Sequence, residues 1–305
     1  RGLGDVYKRQ VHTYTSTLHS FAAFSGDAMP MNEVFTPGRL KEYEDWLLQR
    51  RLSWNTISTY MRTLQAVYNR LSPPGTPEHN PRLFDDVYTK VKSQIKRALT
   101  EEQMGRLMHA DLDVLSEELQ RVQAYFLLMF LFRGMPFIDL AHLRKRDVKD
   151  GKIAYRRHKT GKQITLRIPR EALPLLKEFK DKDETSLYLF PILNAAPEGD
   201  DALYECYQKA LRNFNKMLRV LAKRLLPGIK ISSYTARHTW ATLAYHIGMP
   251  IGIICQALGH SSIRVTETYL KPFENEKVDK ANRKLISTVK KHEGRSGRCF
   301  IYYKT

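Results

Sequence analysis

Residues 232–270 read SSYTARHTWATLAYHIGMPIGIICQALGHSSIRVTETYL. Glycines at positions 248 and 259 interrupt a helical pattern, and each is followed by a helix start: Met249-Pro250 after the first, Ser261-Ser262 after the second. The pattern predicts a helix carrying Arg237 that ends at Gly248, another that stops at Leu258-Gly259, and one that ends near Tyr269. Short helices joined by glycine turns bring Arg237, His260 and Tyr269 to one place. In a basic protein those three side chains suit attack on a phosphodiester. The tyrosine is the nucleophile, the arginine neutralises the developing charge, and the histidine hydrogen-bonds the reacting phosphate. Taken singly they mean little, since a lone tyrosine is ordinarily packing and a lone arginine ordinarily surface.

The rest of the chain bounds what such a site serves. Its 305 residues suffice for two domains of roughly 150 residues each. With 42% hydrophobic and 27% charged residues it buries a sizeable core, which excludes disordered and low-complexity classes. Fifty Lys and Arg against 32 Asp and Glu leave a formal charge of +18, spread through folded segments rather than collected in a tail. That excess points to a polyanion, with nucleic acid the default; the plainer alternative is a basic protein with solvated charged faces. The longest apolar run, residues 124–132 (AYFLLMFLF), is too short for a bilayer, which takes about 20 residues. No secretory-signal pattern opens the sequence. Cys206, Cys255 and Cys299 are widely spaced with no Cys-x-x-Cys, which excludes a disulfide scaffold and a cysteine zinc site. A cytosolic protein is expected.

Residues 1–10 end in Asp5-Val6-Tyr7-Lys8-Arg9-Gln10, which a common transposon-based sequencing adapter encodes in one frame. They are set aside as an expected read artefact fused to an N-terminally truncated gene; the alternative is an ordinary basic start. From Val11 the pattern is helical, with Tyr14, Leu18, Phe21 and Phe24 at helix spacing. Thr36-Pro37 opens a second helix, and Ser53 caps a third carrying Ile57, Tyr60, Leu64, Val67 and Leu71. Ser72-Pro73-Pro74-Gly75 ends it, and a shorter helix is expected over 84–95. This helical unit, 11–97, gives way at Lys96-Arg97 to a capping-box start, Thr100-Glu101-Glu102-Gln103. The second unit, 98–292, begins with an apolar helix over 115–132 that stops at Gly134. Strands follow around 147–148, 152–157 and 163–168, with turns at Asp150-Gly151 and Thr160-Gly161. From Pro169 the pattern is helical to Lys291, and the tail, 293–305, is expected to be mobile or loosely docked. The fold class is mainly α with a small antiparallel β-sheet.

Ala-Arg-His-Thr-Trp-Ala-Thr at 236–242, Leu-Gly-His-Ser-Ser with its histidine 23 residues after Arg237, and a tyrosine nine residues after His260 together resemble the tyrosine recombinase (phage integrase) family. The resemblance covers nearly the whole chain past residue 10. Residues 11–97 are similar to the family's helical, SAM-like core-binding domain, and 98–292 to its catalytic domain. Arg-Gly-Met-Pro-Phe-Ile-Asp-Leu-Ala at 133–141 resembles the integrases and invertases of mobile elements in anaerobic gut bacteria. The resemblance implies a site-specific DNA recombinase that cuts and rejoins DNA through a 3′-phosphotyrosine intermediate. It implies Tyr269 as nucleophile, Arg237 as the second active-site arginine, and His260 as the histidine before the nucleophile. Lys159, in Arg-His-Lys-Thr-Gly-Lys, matches the lysine that protonates the leaving 5′-hydroxyl, and Asp139 the acidic residue that braces the site.

The match departs at two places. Pro136 occupies the position of the family's first arginine, and Arg133 stands three residues earlier. Arg133 is expected to fold back over Gly134 and supply the missing guanidinium; the alternative is a charge at a helix C-terminus. The His-x-x-Arg motif reads Tyr234-x-x-Arg237, and a phenol with a pKa of about 10 donates a hydrogen bond but is no base near pH 7. His238 is expected on a different helix face, buried and hydrogen-bonded; Trp240 and Tyr245 read as core. Lys162 is at most a phosphate contact, and Arg144-Lys145-Arg146 is a DNA-backbone patch or a solvated turn.

No acidic residues cluster at metal-ligand spacing, and guanidinium and ammonium groups take the charge-neutralising role instead, so no metal, ATP or other cofactor is expected. Exchanging a DNA ester for a tyrosyl ester keeps the bond energy, so the reaction reverses without an energy source. The expected partners are double-stranded DNA, three further copies in a homo-tetramer on that DNA, and accessory DNA-bending proteins, with no membrane; the location is the nucleoid of a bacterial cytoplasm. Residues 278–290 (VDKANRKLISTVK) are amphipathic, with Leu285, Ile286 and Val289 placed to dock on a neighbour or on their own domain. The competing reading is a catalytically inactive DNA-binding protein with a recombinase fold, to which Pro136, Tyr234 and the truncated front end belong. A helical transcription regulator accounts for the charge but not for the 237–260–269 spacing, and a type IB topoisomerase fits the helical first unit less well.

Overall fold

The computed structural model describes residues 2–26, 30–91, 98–110, 115–193, 199–270, 272–273 and 275–293. The chain divides into two compact units: Arg1–Ile95 with His158–Gly161, and Lys96–Arg157 with Lys162–Thr305.

The first unit is helical: α1 (Gly2–Ser25), α2 (Met31–Val34), α3 (Pro37–Gln49) and α4 (Trp54–Leu71). The backbone of residues 2–10, set aside above, belongs to α1 and runs unbroken into Val11. Local signals start α3 and α4. The Thr36 hydroxyl accepts from the Arg39 N–H ahead of Pro37, and the Ser53 hydroxyl accepts from the Thr56 N–H. Leu40, Tyr43 and Leu47 of α3 meet Ile57, Met61, Leu64 and Tyr68 of α4 and Phe21 of α1 in one buried cluster. Leu83, Phe84 and Val87 close that cluster from a run of turns, not from the helix expected over 84–95. Side chains take the backbone groups a helix would have used. Asn80 N–H donates to the Tyr68 hydroxyl, Arg82 N–H to Asn80 Oδ1, and Tyr88 N–H to the buried Glu44 carboxylate. Residues 92–97, with the Lys96-Arg97 linker, lie outside the described residues.

The second unit opens with α5 (Glu101–Met108), started by a complete capping box between Thr100 and Gln103. α6 (Glu117–Leu131) and α7 (Phe137–Ala141) follow, then β1 (Val148–Lys149), β2 (Lys152–Arg156) and β3 (Gln163–Arg167). After them come α8 (Ala172–Phe179), α9 (Asp200–Leu225), α10 (Ser233–His246), α11 (Ile251–Ala257), α12 (Ile263–Glu267) and α13 (Asn275–Glu293). α6 is apolar nearly all round because α8, α9 and α10 all pack on it. The sheet is antiparallel in the order β1-β2-β3, with Ile153 opposite Leu166 and Tyr155 opposite Ile164. Those four side chains form its buried face. The helical pattern expected from Pro169 onward is broken between α8 and α9. There Leu189 N–H donates to Leu143 O and Asp181 N–H to Leu189 O, both at 2.7 Å, and Tyr188 bridges to Arg144. These long-range bonds satisfy the backbone in extended form. Among the described residues no helix is long and apolar enough to cross a membrane. Residues 294–305, nearly all of the tail, lie outside the described residues.

Candidate active site

Arg237 lies in the second turn of α10 and is 2% exposed. Its guanidinium donates to Gly134 O at 2.8 Å, to Leu258 O at 2.6 Å and to His260 Nε2 at 2.9 Å. All three acceptors are neutral, Nε has no hydrogen-bond partner, and among the described residues no carboxylate pairs with this cation. Burial pushes its pKa down, and the Arg157 guanidinium pushes it further the same way. A buried cation without a counter-ion is costly, and an anion brought against it would offset that cost.

The same contacts define His260. A guanidinium only donates, so Nε2 is the acceptor and carries no proton; Nδ1–H donates to Thr266 Oγ1 at 2.9 Å. His260 is therefore a neutral imidazole with its lone pair turned to Arg237. Glycine makes this meeting possible. Gly134, at φ +68°, follows Arg133 at φ +58°, and the two left-handed residues turn the chain at the end of α6 so that the Gly134 carbonyl faces Arg237.

Tyr269 follows α12 directly, its N–H donating to Thr266 O at 2.9 Å. Its ring lies 4.8 Å from that of His260 and 4.9 Å from that of His238, and the Arg237 guanidinium carbon is 5.5 Å from its centroid. The Tyr269 and Tyr234 hydroxyl oxygens are 2.9 Å apart. The Tyr234 pKa is pushed up to about 12, by partial burial first and then by Tyr269, although the residue keeps 43% of its surface exposed. Tyr234 is thus protonated at neutral pH, and either hydroxyl can donate across this contact.

Four of the six expected residues meet: Arg237, His260, Tyr269 and Tyr234. Lys159 is exposed on the turn between β2 and β3 and is not among the groups that the second unit brings together. Arg133 is half-buried in the turn that presents Gly134, and its charge bears on Tyr155. His238 shares with Tyr234 the face of α10 that meets Tyr269, which corrects the expectation that it points elsewhere. Trp240 and Tyr245 are partly buried around Ala241, Ala244, Ile254 and Leu258, in keeping with a core reading. Pro136, expected in the place of the first arginine, is the N-cap of α7.

The residue missed from the sequence is Arg157. It is 5% exposed and donates to Leu258 O at 3.0 Å and Gly259 O at 3.2 Å, so Arg157 and Arg237 share the Leu258 carbonyl. Asp139, also buried, stands 3.9 Å from its Nε. A signal for it was present. Ile153, Tyr155 and Arg157 alternate along β2 and just past its end, so an arginine occupies an inward position where an apolar residue is usual.

The model of the phage integrase family matches residues 97–276, and that of the phage integrase SAM-like domain matches residues 4–71. The tyrosine recombinase XerA of Pyrococcus furiosus is 26% identical, over 90% of this chain and 88% of that protein. A lambda integrase dimer bound to a COC' core site superposes with a TM-score of 0.63 at 15% identity, over 86% of this chain and 71% of that one. The Tn1549 transposon integrase in complex with transposon right-end DNA does so with a TM-score of 0.60 at 15% identity, over 89% and 92%.

Proposed function

The chain belongs to the phage integrase family and is a site-specific tyrosine recombinase, and on that premise we propose how its residues share the reaction. Tyr269 attacks the scissile phosphorus, the bond to the 5′-oxygen breaks, and a 3′-phosphotyrosine link forms. Arg237 and Arg157 together neutralise the non-bridging oxygens; Arg157, braced by Asp139, stands in for the arginine that Pro136 replaces. Arg133 serves instead in the turn that presents the Gly134 carbonyl to Arg237. Neutral His260 accepts the phenol proton at Nε2 once the phosphate draws Arg237 away, and then donates to the phosphate. Tyr234 donates to the Tyr269 oxygen as it acquires charge. Lys159 delivers a proton to the leaving 5′-hydroxyl from its place on an exposed hairpin.

The observation that carries this reading is the buried Arg237 guanidinium, hydrogen-bonded to neutral acceptors alone and placed over the Tyr269 ring. The substrate is DNA, and we assign four protomers to each exchange of two duplexes, since one protomer cuts one strand. Val278, Leu285 and Ile286 of α13 are exposed, at 52%, 63% and 46%, which favours docking on a neighbouring copy over packing at home. The side chain of Val289 lies outside the described residues. Residues 11–97 serve as the core-binding domain and 98–292 as the catalytic one, and a DNA substrate favours a location with the nucleoid.

Covalent trapping tests the assignment. Nicked suicide duplexes drawn from the DNA flanking the gene are offered to the wild type and to Tyr269→Phe, Arg157→Ala and Arg133→Ala, with denaturing gels as readout. The adduct is expected to vanish with Tyr269→Phe and Arg157→Ala and to survive Arg133→Ala. Loss with Arg133→Ala and retention with Arg157→Ala would return the first-arginine role to Arg133. Tight binding without any adduct would mark an inactive DNA-binding protein. Binding itself should weaken steeply with salt, as phosphate contacts release counterions.

A further inference from the structure

We propose that His238, together with Thr242, is a positioning residue that holds the main chain of the nucleophile by donating to the carbonyl oxygen of Tyr269; the inference rests on Tyr269 being the nucleophile. His238 Nδ1 and Thr242 Oγ1 each lie 3.3 Å from that oxygen. A carbonyl only accepts, so Nδ1 carries the hydrogen and the threonine hydroxyl donates. Both bonds are longer than the usual length, as befits two donors on one oxygen, and the pair defines the position better than either alone.

The arrangement follows from helix spacing. Tyr234, His238 and Thr242 stand at i, i+4 and i+8 on α10, so they form one stripe. That stripe follows the tyrosine along its length. The Tyr234 hydroxyl meets the phenol oxygen, the His238 ring packs on the phenol ring, and His238 with Thr242 holds the carbonyl. Arg237 is the chain neighbour of His238, so a single helix carries both the charge-neutralising guanidinium and the grip on the nucleophile.

Local structure by itself holds Tyr269 weakly. α12 has five residues, and Tyr269 lies beyond its end. The nearest backbone bonds are Tyr269 N–H to Thr266 O and Leu270 N–H to Glu267 O. In-line attack needs the reacting atoms about 3–3.5 Å apart, and an error of about 1 Å costs on the order of a hundredfold in rate. Two donors on α10 remove that freedom.

Three substitutions separate donor from ring. His238→Asn keeps an N–H near the Nδ1 position, His238→Phe keeps an aromatic ring without a donor, and Thr242→Val keeps the shape without the hydroxyl. Single-turnover formation of the Tyr269–DNA adduct is measured on a phosphodiester substrate and on one with a 5′-bridging phosphorothiolate, whose thiolate leaves without an acid. DNA affinity and thermal unfolding are measured beside it. We expect His238→Phe and Thr242→Val to be slowed roughly tenfold each and His238→Asn to stay within about threefold of wild type, from the positional sensitivity of in-line attack. DNA affinity and unfolding should be unchanged, and the phosphorothiolate should leave the ranking as it is. Wild-type rates in His238→Phe, or His238→Asn as slow as His238→Phe, would overturn the proposal. Rescue by the phosphorothiolate would assign His238 to proton transfer instead. A wild-type chain that forms no adduct at Tyr269, checked against Tyr269→Phe, defeats the nucleophile reading itself and the proposal with it.

Discussion

Gly134→Ala tests whether the turn after α6 is what aligns Arg237. At φ +68° a Cβ on residue 134 would stand 3.0 Å from the Arg237 Cα and 3.2 Å from its Cγ. Left-handed backbone costs a non-glycine residue about 1–2 kcal/mol. Crowding a helix backbone that is itself packed on α6 adds about 1–3 kcal/mol, because the near atom is main chain and cannot swing aside. The total is about 2–5 kcal/mol. Gly151→Ala is the internal control. Gly151 has the same conformation, φ +67°, and a methyl group there would meet nothing within 4 Å, so only the backbone cost of about 1–2 kcal/mol applies. Trp46→Phe and Trp54→Phe leave Trp240, on α10, as the sole tryptophan of the sequence and a reporter of this unit. In that background urea unfolding should rank Gly134→Ala below Gly151→Ala by the crowding cost. Adduct formation should slow about tenfold or more in Gly134→Ala, since the Gly134 carbonyl is a direct acceptor for Arg237, and stay unchanged in Gly151→Ala. Equal stability and equal adduct rates in the two variants would refute the idea that this turn holds the arginine.

Two further outcomes follow from buried charge. Arg157→Ala removes the cation that stands 3.9 Å from the Asp139 carboxylate, which is 3% exposed, and should cost up to about 3–5 kcal/mol, whereas Asp139→Ala/Arg157→Ala should be well short of the summed single losses. Additive urea midpoints would mean that the 3.9 Å pair carries no coupling. At alkaline pH the phenols dominate. Burial, ahead of every other cause, pushes Tyr43 and Tyr125 up to about 12 and Tyr155 higher still. These groups ionise near pH 10 when unfolded and later when folded, so their stabilisation is complete below pH 10 and is lost as pH rises toward 12. Urea midpoints should hold steady from pH 7 to 9 and fall between 10 and 12, and Tyr43→Phe should flatten that fall; an unchanged slope in Tyr43→Phe would count against its burial as the cause.

Much of the architecture is written in near-neighbour chemistry. The caps at Thr36, Ser53 and Thr100, the Asp150-Gly151 turn and the alternation of the hairpin strands were legible because each depends on groups a few residues apart. Local pattern also singled out Arg237, His260 and Tyr269, whose spacing lies in one continuous stretch and which the fold brings together. It overestimated helix over the described residues 84–91, because the bonds that keep that backbone in turns come from Tyr68 and Glu44, far along the chain. It passed over Arg157 because an inward arginine at a strand end acquires meaning only when Asp139 and the Leu258 carbonyl arrive beside it. His238 looked unremarkable for a like reason, since helix periodicity says which residues share a face but not what that face meets. Residue types and short-range periodicity thus determined most of the elements and named the candidate side chains. Tertiary packing alone decided that a turn at 134, a carbonyl at 258 and an imidazole nitrogen at 260 converge on one guanidinium, because burying that charge requires acceptors that no single segment of the chain carries.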